Sequence, residues 1–580
     1  MPFKKLTDEQ RDAVEYSGNL LLTACPGSGK TKTLVSKLAY MLKNKDDLGI
    51  KKRKIIALTY TNIAADTITD RLLSFGITDK SLWVGTIHSF CLQWIIKPNI
   101  NFIPRLCKGY VVIDEHERER LLSELKEKYG LGLFANVVTR LDLDYSNHYS
   151  DIKSPQYKLV DEYHKHLRDN KKIDFDLILN MSFKLLSQYD GVRSRLAFFI
   201  KHILVDEYQD TSLLQYEILK LIISERKSNI TFIGDQEQAI YTGLGAEVKG
   251  KAELIDYFAL GTLHDLSLTG CFRSSQRIID FYKKYQDGGL DIESKSDLKE
   301  FESVVHLEQS IDKSQLSNFI HEVIQSHIKN GISADEIVVL CPSWFDVIQM
   351  SKELDKLDKD YSIDGVVVSP IPKNEDNMWL NLVKLVLNEA CMENYLRRRR
   401  LTNTLIEGLE ECGLNVSGEH KKILKIVNGF NTSINQSITD WIESIVLEFS
   451  HLIGLNIAAN KTAKSSLDSL IDATKIRMEK HDMDYRAHDL KRFFGKSKGV
   501  KITTCHSTKG DEYDVVICTG LLEGKIPHWN DVYVSNQHAN YVARRLLYVI
   551  GSRAKKHLYM VSERGHKTRK GFDYVPTRQL

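Results

Sequence analysis

The sequence predicts an α/β protein with two lobes, each built on a parallel sheet and each interrupted by a mainly helical insertion. Three observations support this fold class. Short apolar strands followed by helical patterns recur at residues 19–24, 55–59, 203–205 and 230–233. Strand signals return at residues 337–340 and 515–519, and long helical stretches separate these groups. Alternating strands and helices are typical of parallel sheets, which bind ligands at the carboxyl ends of their strands.

The first strand–helix unit is the clearest. Leu20, Leu21 and Leu22 form an apolar run that indicates a buried strand. Turn residues follow at positions 26–29, and apolar residues then recur at helical spacing from Leu34 onwards. This spacing predicts a helix with one face turned to the core.

Two stretches interrupt this alternation and read as insertions. Residues 90–195 and about 365–495 have helical periodicity, and the first carries many charges. We therefore expect a first lobe and a second lobe, each made of two segments: residues 1–89 with 196–265, and residues 266–364 with 496–580.

Composition excludes several classes of protein. At 580 residues the chain should divide into roughly three to five domains or subdomains, and its 42% apolar and 27% charged content is ordinary for globular proteins. No apolar run approaches the roughly 20 residues that span a bilayer, so we expect no membrane partner and a cytoplasmic location. The nine cysteines show no C-x-x-C spacing and are interpreted as reduced thiols. A net charge of +3 is too small to indicate a polyanion partner.

The turn after the first strand has the pattern of a phosphate-binding loop. Backbone N–H groups of such a loop cradle phosphates, Lys30 would neutralise the β- and γ-phosphates, and Thr31 would offer its hydroxyl to Mg²⁺. The general pattern has glycine where Ala24 stands, but the strand before and the helix after support the assignment. The predicted ATP-binding residues here are Ala24, Cys25, Pro26, Gly27, Ser28, Gly29, Lys30, Thr31 and Lys32.

Two acids follow a later strand, where nucleotide hydrolysis requires them. Asp206 would hold Mg²⁺ and Glu207 would activate water. A similar pair, Asp114 and Glu115, leads directly into a charged helical pattern, and we interpret it as a helix start.

The segment Asp206-Glu207-Tyr208-Gln209-Asp210-Thr211 resembles the signature of UvrD/Rep/PcrA-type superfamily 1 helicases. The resemblance implies two RecA-like lobes, 1A and 2A, with insertions 1B and 2B. It also implies that Gln10 binds adenine and that single-stranded DNA contacts two further motifs. The DNA residues of those motifs are Tyr60, Thr61, Asn62, Thr86 and His88.

The later motifs of the family follow in order. By the resemblance, Gln238 senses phosphate, Tyr241 stacks on a base, and Glu512 binds the ribose. Phe272 would lie against adenine, Arg273 and Arg553 would complete the catalytic site, and His506 and Thr508 would face DNA. The family continues motif III with a Trp-Arg pair, whereas this chain has Gly243 and Leu244, which puts processive unwinding in doubt more than ATP hydrolysis.

The resemblance implies an ATP- and Mg²⁺-dependent motor that moves 3′ to 5′ on single-stranded DNA or at a junction with duplex. A regulatory ATPase subunit that senses DNA and nucleotide with little unwinding is the alternative, whereas a P-loop kinase would leave the second lobe unexplained. The shortened later insertion is similar to the helicase-like subunit of the Gabija anti-phage system, which works with an OLD-type nuclease. The alternative to a role in anti-phage defence is a role in DNA repair or replication restart.

The run of four arginines at residues 397–400 lies in the later insertion. These side chains could contact duplex phosphates, which give sequence-independent affinity. A solvated helix face is the alternative interpretation.

Overall fold

The structure is a computed structural model of the chain. It describes residues 5–50, 52–132, 135–241, 245–364, 369–371, 377–392, 394–416, 418–430, 435–480, 483–494, 499–568 and 570–580. The chain forms two compact units. One comprises residues 1–87, 193–367 and 498–580, and the other comprises residues 88–192 and 368–497.

The strands lie in two parallel sheets and two short pairs. In chain order they are β1 (Leu20–Ala24), β2 (Lys54–Thr59), β3 (Leu82–Thr86), β4 (Val111–Val112), β5 (Lys172–Ile173), β6 (Ile200–Asp206), β7 (Asn229–Gly234), β8 (His264–Leu268), β9 (Gly270–Cys271), β10 (Glu293–Ser294), β11 (Val305–Glu308), β12 (Ile337–Cys341), β13 (Lys501–Thr504), β14 (Tyr513–Cys518) and β15 (Ala554–Val561).

The helices connect these strands and form most of the second unit. In chain order they are α1 (Asp8–Glu15), α2 (Lys30–Lys43), α3 (Asn62–Ser74), α4 (Ile87–Phe90), α5 (Glu115–Lys128), α6 (Pro155–Asp169), α7 (Phe175–Gln188), α8 (Asp190–Phe199), α9 (Leu213–Ile223), α10 (Lys251–Tyr257), α11 (Gln276–Lys283), α12 (Leu316–Lys329), α13 (Trp344–Asp355), α14 (Met378–Leu387), α15 (Tyr395–Glu411), α16 (His420–Val427), α17 (Ile438–Ile453), α18 (Lys461–Lys480), α19 (Lys491–Phe494), α20 (Trp529–Val534) and α21 (Asn536–Gly551).

The first sheet has six strands in the order β3-β2-β6-β7-β1-β8, and every neighbouring pair is parallel. β1 and β7 are almost entirely buried, as the continuous apolar runs predict for a sheet covered on both faces. Leu34, Leu38 and Leu42 of α2 pack into the same core as β1. The predicted strand–helix unit is therefore confirmed.

The second sheet has five strands in the order β11-β15-β14-β12-β13, and its pairs are also parallel. All five residues of β12 are buried. Helices α12 and α13 pack on one side through Ile320, Ile324 and Val347. Two parallel α/β sheets in one unit confirm the predicted fold class of two RecA-like lobes.

The second unit contains both predicted insertions and is mainly helical. One hydrophobic core of this unit surrounds α14 and α17, where Trp379 and Trp441 are fully buried. Contacts within this unit join the earlier insertion to the later one: Ser469 donates to Asp114 Oδ2 at 2.7 Å, and Lys97 pairs with Glu411 at 3.1 Å. Along the described ranges, no helix combines the length and the apolar character that crossing a membrane requires.

Candidate functional site

The loop between β1 and α2 has the backbone of a phosphate-binding loop. Gly27 and Gly29 have φ values of +73° and +82°, a region that favours glycine. A side chain at Gly27 would also meet Arg273 Cβ at 2.7 Å and Cys271 Sγ at 2.9 Å. Gly29 is the N-cap of α2, so the free N–H groups of this long helix point towards the cavity described below. Among the described residues, none bonds to the buried Ser28 hydroxyl, which suits a site for an anionic ligand.

Lys30 and Glu207 meet at the centre of the site. Lys30 Nζ lies 2.7 Å from Glu207 Oε1, and both side chains are mostly buried. Although burial opposes its charge, the carboxylates of Glu207 and Asp206 raise the pKa of Lys30. Lys30 therefore stays a cation and, in this structure, is held by the predicted base.

The two acids at the end of β6 have pKa values that move in opposite directions. Burial, with the neighbouring charge of Glu207, raises the pKa of Asp206 to about 7. Burial also acts to raise the pKa of Glu207, but the charges of Lys30 and Lys509 overcome it and lower that pKa to about 2. Glu207 is left-handed at φ +52°, a strained conformation for a side chain of this size that is common at active sites. The pair thus has one firmly ionised carboxylate.

Two arginines from the second lobe reach this centre. Arg553 is 1% exposed and donates from Nη2 to Gln238 Oε1 at 2.8 Å. Burial, followed by the charge of Arg273, lowers the pKa of Arg553 to about 10, so the guanidinium remains charged at neutral pH. Arg273 donates to Glu512 Oε2 at 2.7 Å and to the carbonyl of Ser552 at 2.9 Å. Both predicted arginines therefore converge with Gln238 and Glu512.

These groups surround a cavity of about 720 Å³, a size typical of small-molecule sites. Glycine amides, two lysines, three arginines and two exposed phenylalanines supply what phosphates and a purine base require, so the residues fit a nucleoside triphosphate. Thr31 and Asp206 are the groups that could hold Mg²⁺. The lining residues are Cys25, Pro26, Gly27, Ser28, Gly29, Lys30, Thr31, Lys32, Val35, Ser36, Arg71, Phe75, Glu207, Gln238, Phe272, Arg273, Gly510, Glu512 and Arg553.

Gln10 and Ala24 lie behind the loop and do not line this cavity. Gln10 is buried, accepts from Thr7 N at 3.2 Å and donates to the carbonyl of Ser28 at 2.9 Å. The amide thus supports the phosphate-binding loop from α1. Ala24 is fully buried at the end of β1.

The aromatic residues predicted to bind DNA form a row at the carboxyl ends of the strands. The rings of Tyr60 and Tyr241 stack at 5.3 Å, and Tyr60 is 46% exposed. Tyr241 Oη donates to the carbonyl of His506 at 3.2 Å, and the two rings lie 6.4 Å apart. Tyr60, Tyr241 and His506 are named the aromatic row below.

The other predicted DNA residues are placed differently. Thr61 is the N-cap of α3 and accepts from Ala64 N at 3.2 Å, and Asn62 is exposed at the start of the same helix. Thr86 ends β3 and is half-buried. Thr508 is fully buried and donates to the carbonyl of Cys505 at 2.8 Å, so here it shapes the turn after β13 and does not face outward.

His88 belongs to the second unit. Its ring meets Phe175 edge-on at 5.5 Å, and burial lowers its pKa to about 4. His88 is therefore neutral at physiological pH.

Three contributors to the site were not identified from the sequence. Lys509 Nζ lies 2.5 Å from Asp210 Oδ2, donates to the carbonyl of Gln238 at 2.9 Å, and sits 5.4 Å from the ring centre of Tyr241. Arg71 and Phe75 of α3 line the cavity. Lys509 stands three residues after His506 in the motif already recognised, which is the only signal that could have indicated it.

Two charged sequence features, the Asp114–Glu115 pair and the arginine run at residues 397–400, contribute side chains that cap helices. Asp114 accepts from Glu117 N at 2.9 Å as the N-cap of α5, which confirms the predicted helix start. Arg398 is 6% exposed and donates to the carbonyl of Leu385 at 2.9 Å at the end of α14. Within the arginine run, this side chain is a helix cap and not a phosphate contact.

The two sheets, the glycine loop, the acid pair and the converging arginines define a P-loop nucleotide hydrolase with two lobes. Comparison with known proteins identifies the family. A model described as the UvrD/REP helicase N-terminal domain matches residues 6–259, and one described as the UvrD-like helicase C-terminal domain matches residues 456–565. The chain belongs to the UvrD-like superfamily 1 family of ATP-dependent DNA helicases.

Curated relatives match along nearly the whole chain. The ATP-dependent DNA helicase PcrA of Staphylococcus aureus is 23% identical over 611 aligned residues, which cover 96% of this chain and 83% of the relative. The ATP-dependent DNA helicase Rep of Buchnera aphidicola is 24% identical and covers 95% and 90%. PcrA of Staphylococcus epidermidis is 23% identical and covers 96% and 83%.

Proposed function

We propose that this protein uses ATP hydrolysis to move 3′ to 5′ along single-stranded DNA and to separate strands at a junction with duplex. The observation that carries the proposal is the position of Lys509. This lysine from the second lobe contacts Asp210 and Gln238 beside the ATP cavity and also the ring of Tyr241 in the aromatic row. A change in the distance between the lobes at the ATP cavity must therefore also act on Tyr241.

The hydrolysis step is proposed as follows. The loop amides and Lys30 bind the phosphates of ATP, while Glu207 orients and polarises the attacking water. Arg273 and Arg553 stabilise the charge that develops on the transferred phosphoryl group, an effect worth about 10³–10⁵ in rate. Mg²⁺, held by Thr31 and Asp206, supplies charge neutralisation when bound. Phe272 packs against adenine and Glu512 binds the ribose, while Gln10 supports the phosphate-binding loop through the carbonyl of Ser28.

The DNA site is proposed to follow the aromatic row. Each base has a π-face, so stacking on Tyr60 and Tyr241 holds any sequence at about 1–3 kcal/mol per base. Uniform stacking suits a motor that must advance over every sequence. The other proposed DNA residues are Thr61, Asn62, Thr86 and His88.

The assay that tests the motor is ATP turnover with and without oligodeoxythymidine. We expect Lys30→Ala and Glu207→Gln to abolish DNA-stimulated turnover while the thermal unfolding midpoint changes little, because both side chains act on substrate. Translocation towards a 5′ or a 3′ fluorophore, followed by stopped flow, tests the direction. Unchanged turnover in either variant, or movement 5′ to 3′, contradicts the proposal.

The curated relatives are named as helicases, which favours a motor over a regulatory ATPase subunit. A strand-separation assay distinguishes the two, since a regulatory subunit would hydrolyse ATP without unwinding. Gly243 and Leu244, which replace the Trp-Arg pair of the family, lie outside the described residues.

The proposal also includes a cellular role. The compact later insertion supports a place in anti-phage defence with an OLD-type nuclease, and DNA repair is the other role. Co-expression with an OLD-type nuclease, followed by size-exclusion chromatography, tests the first role. Separate elution of the two proteins contradicts it.

The lobe borders are also proposed. We assign residues 1–89 with 196–265 to lobe 1A and residues 266–364 with 496–580 to lobe 2A. The insertions are then residues 90–195 and 365–495. β8 of the first sheet runs to Leu268, so the first border falls within a strand and belongs a few residues later.

A further inference from the structure

Two aromatic side chains stand exposed at the carboxyl edge of the second sheet. β12 ends at Cys341, and α13 begins at Trp344. Trp344 is 47% exposed and Phe345 is 75% exposed. Adjacent large aromatic side chains at this level of exposure indicate a contact surface, and the carboxyl edge of a parallel sheet is where such folds bind ligands.

This pair lies next to the strand end that carries His506 of the aromatic row. Cys341 of β12 is paired in register with Thr504 of β13, and Cys505 N donates to the carbonyl of Cys341 at 3.1 Å. His506 follows at once, and it contacts Tyr241. The segment after β12 and the segment after β13 therefore leave the sheet side by side.

The turn that presents the two rings is held in place. Ser343 is the N-cap of α13 and accepts from Asp346 N at 3.2 Å. Lys525, from the loop after β14, pairs with Asp346 Oδ1 at 2.9 Å, and both side chains are mostly buried. A ring on a fixed helix start loses little conformational freedom when it binds, which favours a recognition role.

We propose that Trp344 and Phe345 stack on bases of single-stranded nucleic acid and extend the aromatic row beyond His506 along the second lobe. This inference rests on the proposed function, since it assigns a further part of the same DNA path. The continuity with Tyr60, Tyr241 and His506 favours a nucleic acid over a protein partner. Bases gripped by rings on both lobes can be held by one lobe while the other moves.

The test is binding of fluorescent oligodeoxythymidine to the full chain, measured by anisotropy with a non-hydrolysable ATP analogue present. A lost stack is worth ~1–3 kcal/mol, and each 1.4 kcal/mol is tenfold, so Trp344→Ala and Phe345→Ala should each weaken binding by about 5- to 150-fold. Trp344→Phe and Phe345→Tyr keep a ring and should restore most of the affinity. Because no charge is lost, the slope of log affinity against log salt should not change.

Phe198→Ala is the matched control. Phe198 is 64% exposed but lies at the end of α8, two residues before β6, at the opposite, amino edge of the first sheet. Its removal should leave DNA affinity unchanged. Turnover of ATP without DNA reports whether each variant is folded. If the alanine variants lose this turnover, Trp344→Leu and Phe345→Leu replace them, because leucine keeps apolar volume without a π-face. Weaker DNA binding by the leucine variants then supports base stacking, and unchanged binding overturns it.

The outcomes separate this inference from the proposed function. If the unsubstituted protein does not bind the oligonucleotide, both fail. If it binds and the Trp344 and Phe345 variants bind equally well, base stacking on the second lobe is overturned while the motor stands, and the pair then belongs to a protein contact. A loss as large in Phe198→Ala as in the pair also overturns the inference.

Discussion

Replacing Glu207 by glutamine should tighten the binding of ATP while it stops hydrolysis. In the structure Lys30 is held by Glu207 at 2.7 Å, and the same ammonium is required by the phosphates. A hydrogen bond that involves a charged group contributes about 1.5–3 kcal/mol, and an ammonium bonded to a carboxylate lies nearer the upper end of this range than an ammonium bonded to a neutral amide. Freeing Lys30 from a carboxylate therefore recovers roughly 1 kcal/mol, which corresponds to about 5-fold in affinity.

The assay is isothermal titration calorimetry with a non-hydrolysable ATP analogue, so that the unsubstituted protein and Glu207→Gln are compared under the same conditions. Turnover should fall by about 10²–10⁴ in Glu207→Gln, as expected for loss of a general base. Lys30→Met is the control, since it removes the phosphate contact and should weaken binding. Equal or weaker binding by Glu207→Gln would refute the view that the ion pair competes with ATP.

Two further predictions concern the fold around the cavity. Gly27→Ala should remove ATP binding, because its Cβ would lie 2.7 Å from Arg273 Cβ at a φ of +73°. Gly76→Ala has a similar φ of +72°, but no atom of the described residues would lie within 4 Å of its new Cβ. Calorimetry should therefore find normal ATP binding, with only a backbone cost in stability of about 1–2 kcal/mol, and equal loss of binding in both variants would contradict the steric argument. Burial lowers the pKa of Lys37 to about 7, so the unfolded chain keeps a proton that the folded chain releases, and stability should rise with pH above about 7 by up to ~1.4 kcal/mol per pH unit. Thermal unfolding midpoints at pH 7 and 9 should show this rise in the unsubstituted protein and not in Lys37→Met, and parallel changes in the two proteins would count against it.

The sequence predicted strands well where a strand is apolar throughout. β1, β7 and β12 are buried on both faces, so their runs of leucine, isoleucine and valine are distinctive. β8 and β15 contain charged or polar residues such as His264 and Lys555 and gave no comparable signal. Their place in the sheets depends on pairing with distant strands, which one sequence does not reveal.

The residues of the site also fall into two groups, those that the sequence could predict and those that it could not. The glycine loop and Asp206 with Glu207 are local patterns whose chemistry can be stated from residue types alone. The contacts of Lys30 with Glu207 and of Gln238 with Arg553 join residues far apart in the chain. Arg398 shows the converse, since it belongs to a basic run by sequence and to a helix cap by structure.

Lys509 explains how a chain without the family's Trp-Arg pair could still couple ATP to DNA. Its ammonium is shared between Asp210, which follows the acid pair, and the carbonyl of Gln238, which in turn contacts Arg553. Although Lys509 acts to lower it, burial raises the pKa of Asp210 to about 6, so the carboxylate is still mostly ionised at neutral pH. Because the same lysine lies 5.4 Å from the ring centre of Tyr241, any shift of the second lobe that moves Arg553 must also change the environment of the ring that we propose stacks on a base. The coupling therefore needs neither a tryptophan nor an arginine at positions 243 and 244, provided that the lysine keeps contact with both the acid and the ring.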